Sequence, residues 1–178
     1  MWENVTRDWT VETWRQSFRR SAVHKRKSNV WKLRSMIPVI DIFAGPGGLG
    51  EGFNALRAGR RQIFKTVLSI EKDKAARETL RLRSFFRQFE DRVPQAYYEF
   101  VRGALSLEEL YLRYPDEVAK ADEEAWLAEL GNPEKYPTSK IDERIDKALR
   151  GAENWVLVGG PPCQAYSVVG RHPLKPRR

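Results

Sequence analysis

A chain of 178 residues, 41% of them hydrophobic, is long enough for one ordinary domain with a real core. A single cysteine excludes an intramolecular disulfide framework, and no apolar run reaches the roughly 18 residues of a membrane span. The net charge of +8 is concentrated at the two ends, and the basic N-terminus lacks the apolar core of a signal peptide, so a cytoplasmic chain is expected.

Residues 1–35 carry nine Lys/Arg against three acids and form a basic, helical-looking extension. Trp9, Trp14 and Phe18, five and four residues apart, suit docking of this extension on the domain better than stacking of bases. At the other end, RHPLKPRR has four basic residues and no acid. Such ends either attract a polyanion such as nucleic acid, through phosphate contacts and counterion release, or form solvated tails.

The β-branched run Ile37–Phe43 predicts a buried strand, followed by a helix from about Gly48 to Gly59. FKTVLSIEKD predicts a second strand closing on Glu71, and KAARETLRLRSFFRQFEDRV a long basic helix stopped by Pro94. From about 94 to 139 the composition turns acidic, with two helical stretches separated near Pro115, which predicts a helical insertion. SKIDERIDKALRG is then a helix, and Trp155–Val158 a third strand leading into GGPPCQAYS. This rhythm is that of an α/β fold built on a parallel sheet.

Two glycine-rich turns carry chemistry. In AGPGGLG, Gly45, Gly47 and Gly50 have G-x-G-x-x-G spacing between a strand and a helix, where unpaired amides and positive potential accumulate. Glu71, about 20 residues beyond at the next strand end, stands where an acid accepts the hydroxyls of a ribose. Both features imply a nucleoside-containing cofactor, either a nicotinamide dinucleotide or S-adenosylmethionine. Asp41, four residues before Gly45, disfavours a pyrophosphate and suits the cationic amino-acid end of the methyl donor. The second turn presents Cys163 after two prolines, as either a buried small side chain or a nucleophile.

DIFAGPGGLGEGF (41–53), the acid of SIEKD and GGPPCQAYSVVGR (159–171) together closely resemble the first, second and fourth motifs of DNA cytosine-5 methyltransferases. The resemblance implies a Rossmann-like S-adenosylmethionine-dependent methyltransferase fold, partial here, with a helical insertion. It implies that Phe43 packs on the adenine, while Ala44, Gly45, Pro46, Gly47, Gly48 and Leu49 surround the methionine part. Glu71 would hold the ribose, Lys72 would lie beside the adenine, and Pro162 would line the meeting point of cofactor and cytosine. Cys163 would be the nucleophile, with Gln164, Ser167 and Arg171 in a loop that closes on the flipped base and adjacent phosphate. Asp142, with Ile141 beside it, stands at the offset of the family's adenine-reading acid, but inside a helical segment.

The chain lacks the family's Glu-Asn-Val motif after the cysteine loop, its Gln-x-Arg-x-Arg motif and its target-recognition region. The expectation is therefore the N-terminal part of a bacterial-type DNA cytosine-5 methyltransferase of a restriction-modification system, acting on double-stranded DNA, partnered by the missing C-terminal half and inactive alone. A non-catalytic cofactor-binding half of a split or degenerate enzyme, and a nicotinamide-dependent oxidoreductase, remain as alternatives. His24 and His172 lack metal-ligand spacing, so no metal is expected.

Overall fold

The structure is a computed structural model that describes residues 36–90 and 92–161. Strand β1 (Ile37–Ile42) is the centre of the sheet, and its Val39 and Ile40 are fully buried. It pairs in parallel with β4 (Phe64–Glu71) from Ile37 onward and with β6 (Val156–Gly159) only from Val39 onward. Pro38 thus sits where the strand has one neighbour, a place that tolerates a residue with no N–H.

The fourth strand, β5 (Ala125–Leu127), lies on the outer edge of β4, giving the all-parallel order β5-β4-β1-β6. Counted along the chain within this sheet, the order is third, second, first, fourth. That is the Rossmann-like α/β arrangement, and the direction of winding reverses between β1 and β6.

Helix α1 (Gly48–Ala55) follows β1, and α2 (Lys74–Arg87) follows β4, with Asp73 capping its start by accepting from the Ala76 amide at 2.8 Å. Three short helices come next: α3 (Gln95–Val101), α4 (Leu107–Arg113) and α5 (Pro115–Glu124). Ser106 and Glu109 close a capping box on α4, and Pro115 starts α5 at a position where its missing N–H costs nothing. Helix α6 (Thr138–Leu149) precedes β6 and buries Ile141, Ile145 and Leu149, a stripe with four-residue spacing, against Ile40, Leu68 and Ile70 of the sheet.

A second cluster gathers Phe85 of α2 with Ala96, Leu110 and Ala121 of the three short helices, and Tyr111 meets the Phe85 ring edge-on at 5.1 Å. Polar links fasten the same helices to the rest. Arg77 and Arg81 of α2 reach Asp122 at 2.7 and 2.8 Å. The nearly buried Glu124 accepts from the Ser84 hydroxyl at 2.8 Å and pairs with Arg87, which also pairs with Glu51 of α1.

Two elements differ from the sequence expectation. The helix after the first glycine turn stops at Ala55, and a small hairpin follows, β2 (Arg57–Ala58) with β3 (Arg61–Gln62). Near the helix end the buried Asn54 side-chain amide accepts from the Thr66 N–H at 2.8 Å and donates to the Thr66 hydroxyl at 3.0 Å, anchoring the last turn to β4. The segment 94–139 also supplies a strand, so the strand that leads toward Cys163 is the fourth of the sheet and not the third. Among the described residues no helix is long and apolar enough to cross a membrane, and no cluster of His, Cys, Asp and Glu has the make-up of a metal site.

Candidate functional site

The carboxyl ends of β1 and β6 flank the point where the winding reverses, the crevice in which open α/β sheets place ligands. The chain leaves β1 through a tight turn in which Phe43, Gly45 and Gly47 have φ of 53°, 56° and 92°. Left-handed backbone at Phe43 is strained for a side-chain-bearing residue, and such strain concentrates at ligand sites. At Gly47 the φ of 92° favours glycine, and a Cβ there would lie 2.7 Å from the end of the Leu80 side chain of α2, which would have to shift.

Glu71 at the end of β4 organises this turn. One carboxylate oxygen accepts from the Gly45 amide at 2.8 Å, and the other accepts from the Lys72 and Asp73 amides, each at 2.8 Å. The half-buried acid therefore ties the glycine turn to the start of α2. Pro46, Gly48 and Leu49 face solvent on the outer side of the turn, and around Gly45 and Gly48 there is open space where a Cβ would stand.

Beneath the turn lies Asp41, fully buried in β1. One of its oxygens accepts from the Gly50 amide at 3.2 Å, while the other is buried with no partner among the described residues. Burial, opposed by the Gly50 amide and reinforced by the charge of Glu71, pushes its carboxyl up to about 6. The folded state therefore holds this proton more tightly than the unfolded chain. Its stabilising contribution is complete below about pH 4 and is lost as pH rises through about 6. Asp41→Asn should flatten that part of the stability curve, by up to about 3 kcal/mol across the window; denaturant melts from pH 4 to 7 with an unchanged slope would contradict this account of Asp41.

Lys72, exposed beside Glu71, comes within 3.8 Å of Glu129, which follows β5. The Ala128 amide donates to the Glu71 carbonyl at 3.0 Å and fixes Glu129 at this edge. The sequence reading passed over Glu129 because the three-residue strand before it is embedded in an acidic helical stretch; the brief apolar AWLA was the available signal. Asp142 lies in the second turn of α6, half-buried, its carboxyl raised by burial and by the neighbouring Asp146. Ile141 beside it is a core residue, packed with Ile40, Leu68 and Ile70.

On the other side of the crevice, Gly159 is paired with Ile42, and a Cβ on it would lie 2.4 Å from the Ile42 carbonyl oxygen. This close approach delivers Gly160 and Pro161 next to the point where β1 gives way to Phe43. Pro162, Cys163, Gln164, Ser167 and Arg171 lie outside the described residues.

The site thus offers a carboxylate, a turn of exposed backbone and a buried, incompletely compensated acid behind it. That set fits S-adenosylmethionine: a diol for Glu71, a flexible amino-acid chain for the turn, and a cationic centre for the field of Asp41. No family model and no solved structure matches the chain. It is similar to a Type II methyltransferase of Bacillus paralicheniformis, with 30% identity over 152 residues that cover 77% of this chain and 33% of the relative. Over three quarters of its length, then, the chain is similar to a methyltransferase, of which it spans about a third.

Proposed function

We propose that the chain is the cofactor-binding, N-terminal part of a DNA cytosine-5 methyltransferase that uses S-adenosylmethionine and belongs to a restriction-modification system. The observation that carries this reading is the strained glycine turn, held by the Glu71 carboxylate at the winding reversal and facing the strand that runs into GGPPCQ. The similarity to a Type II methyltransferase supports it.

In this reading Glu71 binds the ribose hydroxyls, Phe43 packs on the adenine and Lys72 lies beside it. The backbone from Ala44 to Leu49, with Gly45 to Gly48 at its centre, surrounds the methionine part. Asp142 would read the adenine amino group, its neighbour Ile141 serving in the core, and Pro162 would line the approach of the target base. The bound cofactor supplies an electrophilic methyl group.

Carbon 5 of cytosine is a poor nucleophile, so the Cys163 thiolate adds to C6, the C5–C6 π electrons move toward C5, and N3 takes a proton. After C5 has accepted the methyl group it loses its proton, and the C6–S bond breaks to restore the double bond and free the thiolate. The base must leave the duplex stack for this, at a cost of a few kcal/mol, and Gln164, Ser167 and Arg171 would hold it and the adjacent phosphate. In this reading the chain supplies the nucleophile and the cofactor site, and the acid that protonates N3 would come from the C-terminal half.

Covalent trapping tests the proposal. Supplied with a C-terminal portion equivalent to the rest of the relative, S-adenosylmethionine and a duplex carrying 5-fluorocytosine, the chain should form a stable adduct, because fluorine cannot leave as the C5 proton does. Cys163→Ser should abolish the adduct; an adduct that survives this substitution would overturn the assignment of the nucleophile.

A further inference from the structure

Residues of α4 and α5, with Arg81 of α2, line an open groove of about 680 Å³. Its walls are mainly apolar, formed by Leu107, Tyr111, Leu112, Pro115, Val118 and Ala119. Leu112 is 75% exposed, the highest value among the large exposed hydrophobic residues. Glu108 lies in the lining with Arg81 and Asp122, which pair with each other, and Asp116 and Glu117 in the first turn of α5 add two further acids beside it. Between Ser106 and Glu124 the chain carries seven acids and two bases. An apolar floor inside an acidic rim suits a basic segment with large aromatic side chains.

We infer that the occupant is the chain's own N-terminal segment, with Trp9, Trp14 and Phe18 entering the groove and the surrounding arginines meeting its acidic rim. Three observations favour this occupant. The segment is oppositely charged, with nine basic residues against three acids, and Arg7, Arg15, Arg19 and Arg20 are interspersed with or flank the aromatics. It has the larger apolar payload of the two basic ends, since 162–178, with four Lys/Arg, holds one tyrosine but no tryptophan and no phenylalanine. It also has the reach: Phe18 is 18 residues from Met36, where the described domain begins, and that length of chain spans up to about 60 Å, against a breadth of about 35 Å for a domain of this size.

Docking there would clamp the N-terminal segment onto the α4–α5 unit, which Asp122 and Glu124 already fasten to α2. The site is separate from the glycine turn, so this inference stands or falls independently of the methyltransferase reading.

The test is photo-cross-linking of the full chain with a benzophenone amino acid in place of Leu112, whose exposed position leaves the fold undisturbed. Irradiation of the monomer followed by peptide mapping should join position 112 to the stretch between Arg7 and Arg20 of the same chain. The product should be lost in the Trp9→Ser, Trp14→Ser double variant and in the Glu108→Lys, Asp116→Lys double variant. A cross-link to 162–178, a cross-link only between two copies, no cross-link at all, or one that persists through both double variants would each overturn the inference.

Discussion

Replacing Glu71 by glutamine should weaken binding of S-adenosylhomocysteine by about 10- to 100-fold. Hydrogen bonds to an ionised group contribute about 1.5–3 kcal/mol each, and the carboxylate has two calls on it. It would accept the ribose hydroxyls, and it already accepts three amides that hold the glycine turn against the start of α2. Glutamine keeps the shape but turns one acceptor into a donor aimed at amide N–H groups. A thermal melt close to that of the parent would separate lost recognition from lost fold. Calorimetric titration that gave the same affinity for both proteins would contradict the role assigned to Glu71.

Removal of the Glu124 side chain should be the most damaging change to the fold. Glu124 is 7% exposed, accepts from the Ser84 hydroxyl and pairs with Arg87, so Glu124→Ala leaves a buried hydroxyl and an arginine short of a partner. Breaking a buried pair from one side costs about 3–5 kcal/mol, which for a domain of this size lowers Tm by roughly 10 °C or more. Glu124→Gln should cost less, because it retains an acceptor for Ser84. The two variants are distinguished by thermal melts, and a Glu124→Ala protein melting with the parent would show that α2 and α5 are held chiefly by the aromatic cluster around Phe85.

Much of the fold was legible because its signals are local. Ile37–Ile42 is β-branched and ends in small residues, Phe64–Glu71 closes on an acid, and KIDERIDKAL repeats apolar residues at helical spacing. Ala125–Leu127 escaped notice because three residues carry no periodicity, and what makes them a strand is pairing with Ser69, Ile70 and Glu71, more than fifty residues away in the chain. The hairpin after α1 was missed for a related reason: its strands are two residues each, and the last turn of the helix before it is anchored by Asn54 to Thr66 across the fold.

At the site, the sequence pointed to the glycines, Asp41 and Glu71 but not to their mutual arrangement. G-x-G-x-x-G spacing gives no sign that Glu71 grips the Gly45 amide, or that one oxygen of Asp41 is buried behind the turn with no partner among the described residues. Those relations depend on β1 and β4 being neighbours with Asp41 opposite Ser69 and Ile42 opposite Ile70. Glu129 became visible only when β5 had placed it beside Lys72.

Isothermal titration of the full chain with S-adenosylhomocysteine and, separately, with NAD decides whether the glycine turn and Glu71 hold S-adenosylmethionine. Saturable one-to-one binding of S-adenosylhomocysteine, lost or much weakened in Glu71→Gln, and no heat with NAD are expected. Binding of NAD that S-adenosylhomocysteine fails to displace, or a folded chain that binds neither, would contradict this assignment.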